Sequence, residues 1–583
     1  MPVNAFSLLA LQPTSLVELE QAARANVVVS AVLSDGLETV ISRYGDAIWN
    51  LWPFFKQSNV GDAKKQIRWS GVPAQFVDAV KLIVYRYWMQ GLPGQDRPKA
   101  VTVIRVVHQL TPFLRWLEAT GVTQLSSVRR LHVSSFAAHA RGVEPTKEHL
   151  SNVFHSLQIL HVLGEGGDSL SFDPWQGSSA KHEAGLTGRS GARSAKTPVI
   201  PDDVLSPLFN FAERVALAPA TARASTPLHC GGAELTVRNA CFFLLGIFTG
   251  MRQEELVGIR VGAYRREVKN GVTYHWVRAI ENKITGGEDV EYLMPELGRE
   301  VLRIMEDLSA PLRARLVAEM ASLSVAPSAE SESDRAKRLR RLARATSDQD
   351  RLFLTSAHGD GVSALTADGV RSALKTLAKG AGVDWPLAPH QLRRTFVVEC
   401  AHHELGDLVY LKKHLKHRSL SMTELYAMNE RQDESLFNEL LDAHLEVKAD
   451  LITHLLDPQT VLAGSAAPDV EQVRRQLTTL RSRRELAEDT AEIVNIRGTG
   501  HAWCLSQFEG CGGTGLWERT QCAPCTDGLI DERHIPAWQA IYSQQRELEV
   551  LKPTLGAGAA RRIDRDLKRA GDTLRKLGIP LDD

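Results

Sequence analysis

The sequence has no excess charge of either sign. Lysine plus arginine and aspartate plus glutamate each number 69 in 583 residues, so the formal net charge is zero. Bulk charge therefore gives no argument for a nucleic-acid partner, and such a function would have to depend on where the charges lie. The chain also lacks a run of ~18 apolar residues, the length of a membrane span, and an N-terminal signal pattern. We expect a soluble, cytoplasmic protein with reduced thiols and no membrane partner.

Cysteine is scarce, and four of the seven residues lie close to the C-terminus, at Cys504, Cys511, Cys522 and Cys525. The last two have the two-residue spacing that lets a tight turn present two thiolates to one tetrahedral ion. We predict a structural zinc site formed by these four residues, with His501 as an alternative to Cys511. The other interpretation is a group of free thiols in a small core.

The chain is too long for one hydrophobic core, and its composition changes along its length. We predict a mainly α, multidomain fold with a small β-sheet and no internal repeat. The predicted segments are an N-terminal extension with an aromatic cluster (1–70), a helical domain (71–165), a flexible basic linker (166–196), a mostly helical domain (197–447) and a C-terminal helical region (448–583).

Several local elements follow from apolar periodicity and turn residues. A helix near residues 104–117 should be kinked or interrupted at Pro112. The basic stretch 335–344 is either a solvated helix face or a DNA contact. Further predicted elements are helices near 147–163, 367–382, 534–551 and 559–577, a β-hairpin near 274–292 and a helical insertion at 310–349.

Six side chains between residues 252 and 426 together have the chemistry needed to attack a phosphodiester with a tyrosine: Arg252, Lys283, His390, Arg393, His417 and Tyr426. Arginine forks bind two phosphate oxygens and never lose their proton. A phenol with a pKa near ~10 needs neighbouring positive charge to ionise. A partly desolvated lysine can protonate the leaving oxygen, so no metal ion is required for catalysis.

These residues lie in motifs that resemble the tyrosine recombinase (phage integrase) family over about residues 201–428. The segment 249–256 resembles the family's first arginine box, with Arg252 as the phosphate clamp and Glu255 as the acidic residue that orients the site. The segment 281–287 resembles the β-hairpin turn that carries the catalytic lysine.

The remaining motifs follow in the family's order. The segment 390–396 resembles its His-x-x-Arg box, His417 falls at its His/Trp position, and Tyr426 falls at its nucleophile. Two positions depart from the pattern, because Lys416 stands where the family usually has glycine and Arg394 where it often has histidine. Neither position is reactive, so the departures bear on local backbone shape.

The resemblance implies that residues 71–165 are a core-binding domain that clamps DNA and that residues 197–447 are the catalytic domain. It implies a site-specific recombinase or integrase that cleaves and rejoins double-stranded DNA through a 3′-phosphotyrosine, to integrate or excise a mobile element. A homotetramer on two DNA sites, partner recombinases and a location at the nucleoid are further expectations.

Each assignment has an alternative. Lys269, Arg265 and Arg266 are other candidates for the catalytic cation, and His417 and Tyr426 could be packed between helices. The whole chain could be a type IB topoisomerase or a telomere-resolving enzyme, which use similar chemistry. It could also be an inactive DNA-binding regulator that keeps the fold, although a regulator has no need of a tyrosine nucleophile.

Overall fold

The structure, a computed structural model, confirms a mainly helical chain with small antiparallel sheets. Within the part of the chain that it describes, no helix is long and apolar enough to cross a membrane. The described residues are 3–4, 12–34, 37–55, 60–143, 146–164, 168–186, 197–218, 232–269, 272–281, 288–357, 361–404, 434–477, 479–507 and 519–581.

The N-terminal unit combines small sheets with a helical bundle. Strands β1, β2 and β3 form one antiparallel sheet, and β4 pairs with β5. The strands are Val3–Asn4, Val28–Ser34, Leu37–Arg43, Ile48–Asn50 and Gln66–Arg68 (β1 to β5). The helices are Gln21–Ala25, Val77–Gln90, Ala100–Ala119, Arg130–Val143, Lys147–Val162 and Ala180–Glu183 (α1 to α6).

One hydrophobic core joins the predicted extension to the predicted helical domain, since its buried residues run from Leu16 to Ala184. Tyr44 and Trp49 of the extension's aromatic cluster lie inside this core, and Phe54 and Phe55 pack against it. The Trp49 ring packs edge-on against Trp69 at 4.8 Å, and its indole N–H donates to the Tyr44 carbonyl. The ammonium of Lys81 lies 5.5 Å from the Trp69 ring centre, and burial lowers its pKa.

Two helix predictions for this unit can be compared with the structure. The helix α5 covers Lys147–Val162, which confirms the prediction. The helix α3 continues over Ala100–Ala119 with Pro112 inside it, so of the expected kink or interruption the interruption was wrong. Phe113, Leu114 and Leu117 directly after the proline are buried, and their packing offsets the lost backbone hydrogen bond.

The middle unit is built around one apolar helix. The helix α8 is buried at every residue from Ala240 to Phe248, as expected of a helix surrounded by others. The helices of this unit are Asp202–Leu217, Ala233–Thr249, Gln253–Gly258, Glu296–Ser324, Glu332–Asp348, Ala367–Gly380, Pro389–Glu404 and Glu434–Leu455 (α7 to α14). Its strands are Tyr264–Lys269, Val272–Glu281, Glu288–Met294, Leu354–Ala357 and Gly361–Ala364 (β6 to β10).

Strands β6, β7 and β8 form a three-stranded antiparallel sheet, so the predicted hairpin near 274–292 is confirmed with one further strand. The predicted insertion at 310–349 is helical, because it contains the end of α10 and all of α11. Leu316 and Ala345 of this insertion pack in a small core with Leu354 of β9 and Val362 of β10.

The basic stretch 335–344 is not a fully solvated helix face, because several of its arginines bind acidic groups of the protein. Arg338 donates from Nε and Nη2 to the Glu330 carboxylate at 2.7 and 2.9 Å. Arg341 donates from Nε to Glu319 at 2.6 Å. The Arg341–Glu319 pair joins α11 to α10, and the Arg338–Glu330 pair ties α11 to the loop before it, so much of the helix's charge is neutralised internally.

The N-terminal unit touches the middle unit through exposed ion pairs. Asp62 lies 3.9 Å from Arg340 Nε and 3.8 Å from Arg344 Nη1. Lys64 Nζ lies 2.7 Å from Asp368 Oδ2, with both side chains more than half exposed. Strand β3 also packs against α11, so the ion pairs are one part of the contact between the two units.

The C-terminal unit consists of a helical hairpin on a small sheet. Its helices are Ala467–Gln476, Leu480–Thr490, Ile535–Val550 and Ala557–Lys576 (α15 to α18), and the last two confirm the predicted C-terminal helices. Its strands are Arg497–Gly498, Trp503–Cys504 and Gly528–Leu529 (β11 to β13). Trp503 and Leu529 pack into the core of the middle unit, so the two units share apolar contacts.

Asp531 is the buried polar centre of this unit, with no exposed surface. Its carboxylate lies 2.8 Å from His534 Nδ1 and accepts from Trp503 Nε1 at 3.0 Å. Burial raises its pKa, but the hydrogen bonds from His534 and Trp503 outweigh that effect and hold the pKa below its usual range. The ionised carboxylate is therefore the form that stabilises the fold.

Asp531→Ala should lower the free energy of unfolding by about 3 kcal/mol near pH 7, because it leaves buried donors without their acceptor. The depressed folded pKa means that this stabilisation is complete above the ordinary aspartate value of about 3.9 and is lost as the pH falls below it. Urea titrations from pH 7 to pH 3 measure both effects. Asp572→Asn, which changes an exposed carboxylate of the same unit, is the control, and an equal loss in both variants would contradict the prediction.

Candidate active site

Arg252 is positioned by a tight turn at the end of the central helix. The helix α8 ends at Gly250, whose φ of 64° reverses the chain into the extended Arg252 backbone. A Cβ at Gly250 would lie 2.4 Å from the Phe396 ring, so both the backbone conformation and the close approach of α13 require glycine. The turn thus places Arg252 immediately beside α13.

Glu255 binds Arg252 twice. Its carboxylate accepts from the Arg252 backbone N–H at 2.6 Å and from Arg252 Nη1 at 2.9 Å. Glu255 has no exposed surface, and the Arg252 side chain is 10% exposed. The carboxylate therefore fixes both the start of α9 and the direction of the guanidinium.

Arg393 comes from the helix α13, three residues after His390, so both side chains lie on neighbouring positions of one helix face. His390 is exposed, whereas Arg393 is 1% exposed. Arg393 Nη1 donates to the Gly250 carbonyl at 3.0 Å. The same turn that directs Arg252 thus also holds Arg393.

The two guanidinium groups meet at one carboxylate that the sequence motifs did not indicate. Glu439 on α14 accepts from Arg393 Nε at 2.7 Å and from Arg393 Nη2 at 3.0 Å. Its Oε1 atom also lies 3.9 Å from Arg252 Nη2. Arg252 and Arg393 therefore face one anion position.

A sequence signal for the position of Glu439 exists, although it is indirect. Leu436, Leu440, Ala443 and Val447 are buried at helical spacing on α14. Glu439 is adjacent to that apolar face, so periodicity places it at the edge of the core. Nothing in the periodicity names Arg393 as its partner.

Three of the predicted site residues, Lys283, His417 and Tyr426, lie outside the described residues, as does Lys416. Among the alternatives for the catalytic cation, Arg265 is engaged by Glu291 through a fork with contacts of 2.9 and 2.7 Å, and this pairing raises its pKa. Arg266 donates to Thr273 at 3.4 Å. The side chain of Lys269 also lies outside the described residues.

Arg394, the departure beside Arg393, binds a different carboxylate. Its Nη2 donates to Glu446 Oε2 at 2.6 Å. Two Arg–Glu pairs thus join α13 to α14, one on each of two adjacent arginines. Of these two pairs, only the Arg393–Glu439 pair also lies close to Arg252.

Three of the predicted zinc residues, Cys504, Cys522 and Cys525, lie near strand β13 of the C-terminal unit. Cys504 in β12 pairs with Gly528 in β13, and the turn carrying Cys522 and Cys525 leads into β13. Cys511 lies outside the described residues. Among those described, only His454, Asp531 and Glu532 bring three ligand-type atoms within 4.8 Å of one another. The described thiols and His501 therefore bring no three donors to zinc-binding distance in this arrangement.

Glu255→Ala should destabilise the protein by about 3 to 5 kcal/mol, because it leaves the mostly buried Arg252 guanidinium without its counter-ion. Glu255→Gln keeps the size and one acceptor, and it should cost less. Chemical denaturation of the two variants measures the difference. Equal stability of Glu255→Ala and the unchanged chain would show that the pair does not hold the turn.

The chain is similar to one protein-family model and to several solved structures. The model of the phage integrase family matches residues 227–433. No curated protein sequence matches the chain. Among solved structures, XerH site-specific recombinase bound to palindromic difH substrate, in a post-cleavage complex, is 14% identical, with 65% of this chain and 94% of that chain covered and a TM-score of 0.35.

Two other solved structures are similar at the same level. XerH bound to difH substrate in a pre-cleavage complex is 13% identical, covers 60% of this chain and 81% of its own, and has a TM-score of 0.31. XerA recombinase is 14% identical, covers 60% and 93%, and has a TM-score of 0.20. Arg252, Glu255, His390 and Arg393 all lie within residues 227–433, the segment that the phage integrase family model matches.

Proposed function

We propose that this protein is a site-specific DNA recombinase that cleaves and rejoins strands through a 3′-phosphotyrosine on Tyr426. The observation that supports this most is the convergence of Arg252 and Arg393 on a single anion position inside the phage integrase family domain. Two fixed guanidiniums on one anion suit the charge that develops on a phosphate under attack.

In the proposed cleavage step, the Tyr426 oxygen attacks the scissile phosphorus as the bond to the 5′ oxygen breaks. Arg252 and Arg393 bind the non-bridging oxygens, and Lys283 protonates the departing 5′ oxygen. The products are a 3′-phosphotyrosyl link and a free 5′ hydroxyl.

His390 assists proton transfer, and His417 donates a hydrogen bond to the phosphate. The His390 position supports its role, because it is exposed and lies one helical turn from Arg393. The covalent link conserves the phosphodiester's free energy, so a second 5′ hydroxyl can displace Tyr426 without ATP. The substrate is double-stranded DNA, and we propose a homotetramer on two sites that integrates or excises a mobile element.

Removing the nucleophile should abolish the covalent product, and removing one arginine should slow its formation. We expect Tyr426→Phe to form no protein–DNA adduct on a nicked suicide substrate drawn from the boundaries of the gene's own neighbourhood. Arg393→Ala should form it about 10²- to 10³-fold more slowly, because a transition-state cation is lost. Adduct formation is followed by denaturing gel electrophoresis.

Arg394→Ala is the matched control, because it removes the adjacent arginine and its ion pair with Glu446 while leaving the Arg252–Arg393 pair in place. An equal loss in Arg394→Ala would mean that the rates report stability rather than catalysis. Tight DNA binding without any adduct would favour the inactive regulator, and hairpin products would favour a telomere-resolving enzyme.

We also propose that the C-terminal unit binds one structural zinc ion through Cys504, Cys511, Cys522 and Cys525, with His501 as the alternative to Cys511. The support is the backbone proximity of Cys504 to the Cys522–Cys525 turn. The thiols would have to change rotamer to bind the ion. Burial and the nearby Arg519 lower the pKa of His501, which keeps its imidazole neutral.

Elemental analysis of protein purified without chelator should give about one zinc per chain if this site forms. The double change Cys522→Ser and Cys525→Ser should remove the metal and lower the melting temperature of the C-terminal unit. Cys241→Ser, at a buried cysteine of the middle unit, is the control for thiol loss. Zinc-free protein with unchanged stability would leave these cysteines as free thiols.

A further inference from the structure

The anion position between the two arginines is filled by the protein itself. Arg393 offers Glu439 the edge formed by its Nε and Nη2 atoms, at 2.7 and 3.0 Å. This is the bidentate geometry in which a guanidinium also binds a phosphate. Because one edge of a guanidinium binds one such anion at a time, the Glu439 carboxylate and a DNA phosphate compete for it.

Arg252 is a second cation close to the Glu439 carboxylate, as two cations are expected around a bound phosphate. Arg252 Nη2 lies 3.9 Å from the Glu439 Oε1 atom that Arg393 also binds. Arg252 is itself aimed by the buried Glu255. The Glu439 carboxylate therefore occupies a place defined by two cations from separate elements, α13 and the turn before α9.

Glu439 can leave this place without unfolding its helix. The helix α14 is anchored by Leu436, Leu440 and Ala443, which are all buried, whereas the Glu439 side chain is 45% exposed. The separate Glu446–Arg394 pair holds α13 and α14 together at 2.6 Å. Rotation of one long side chain into solvent thus clears the Arg393 edge while the two helices stay packed.

We propose that Glu439 is an internal phosphate mimic, which occupies the Arg252–Arg393 site and must be displaced before a scissile phosphate binds there. The biological role of this displacement rests on the proposed function. The competition between the Glu439 carboxylate and a phosphate for the two arginines does not depend on that function. Glu439 lowers the affinity of the arginine pair for isolated phosphate groups. Only a phosphate presented with further DNA contacts displaces it, which restricts cleavage to properly seated duplex.

The test compares Glu439→Gln with Glu446→Gln in the full chain, because both remove a carboxylate from the same face of α14. Inorganic phosphate is the first probe. From the strength of a charge-assisted hydrogen bond, we expect Glu439→Gln to bind phosphate about tenfold more tightly than the unchanged chain.

The melting temperature gives a second measurement with the same probe. Without phosphate, Glu439→Gln should melt at a lower temperature, because the buried Arg393 loses the Glu439 carboxylate, and added phosphate should restore the melting temperature. Glu446→Gln should show neither the tighter binding nor the restoration.

Covalent adduct formation on the suicide substrate is the second readout, and Glu439→Gln should form adduct faster than the unchanged chain at limiting DNA. Tighter phosphate binding with no adduct in any variant supports the mimic and contradicts the proposed recombinase. Adduct in the unchanged chain with phosphate binding unchanged or weaker in Glu439→Gln overturns the mimic and makes Glu439 a support for Arg393. If Glu439→Gln fails to fold, Glu439→Asp, which keeps the charge but shortens its reach, should bind phosphate more tightly. Unchanged binding by Glu439→Asp would also overturn the proposal.

Discussion

The burial of positive charge is the constraint on which the middle unit depends. A guanidinium cannot lose its proton, so removing it from water costs several kcal/mol unless acceptors surround it. Arg393 is 1% exposed, and the fold provides it with the Gly250 carbonyl and the Glu439 carboxylate. Arg252 receives the buried Glu255. The left-handed turn at Gly250, the approach of α13 to it and the docking of α14 are the backbone arrangements that bring these acceptors together.

The parts of the site that could be predicted are those in which the interacting residues are close in the sequence. Arg252 and Glu255 were assigned through the resemblance of their motif and meet as cap and first-turn residue of α9, and His390 and Arg393 were assigned in the same way and lie one turn apart on α13. The Arg393–Glu439 pair joins residues 46 positions apart, and it forms only because α14 docks on α13. Short-range periodicity shows that Glu439 lies at the edge of a buried helix face. It does not identify the residue that Glu439 contacts.

The basic stretch 335–344 shows the same limit on a larger scale. Read locally, a helix with so many arginines should be solvated or bind DNA. The stretch finds its partners elsewhere in the fold. Glu319 comes from α10, Glu330 from the loop between α10 and α11, and Asp62 from the N-terminal unit. The zero net charge of the chain therefore partly reflects cations that are neutralised inside the molecule, and it says little about how much positive potential remains for a polyanion.

The contact between the N-terminal and middle units has a consequence for how the protein responds to its medium. Asp62 and Lys64 join the two units through exposed ion pairs, and at an ionic strength of 0.15 M such charges are screened over about 8 Å. Phosphate contacts of a DNA-binding surface weaken with salt for a related reason, the release of counter-ions. Under the proposed function, ionic strength therefore acts in the same direction on two contacts, because it weakens both the ion pairs between the units and the hold of the protein on a duplex.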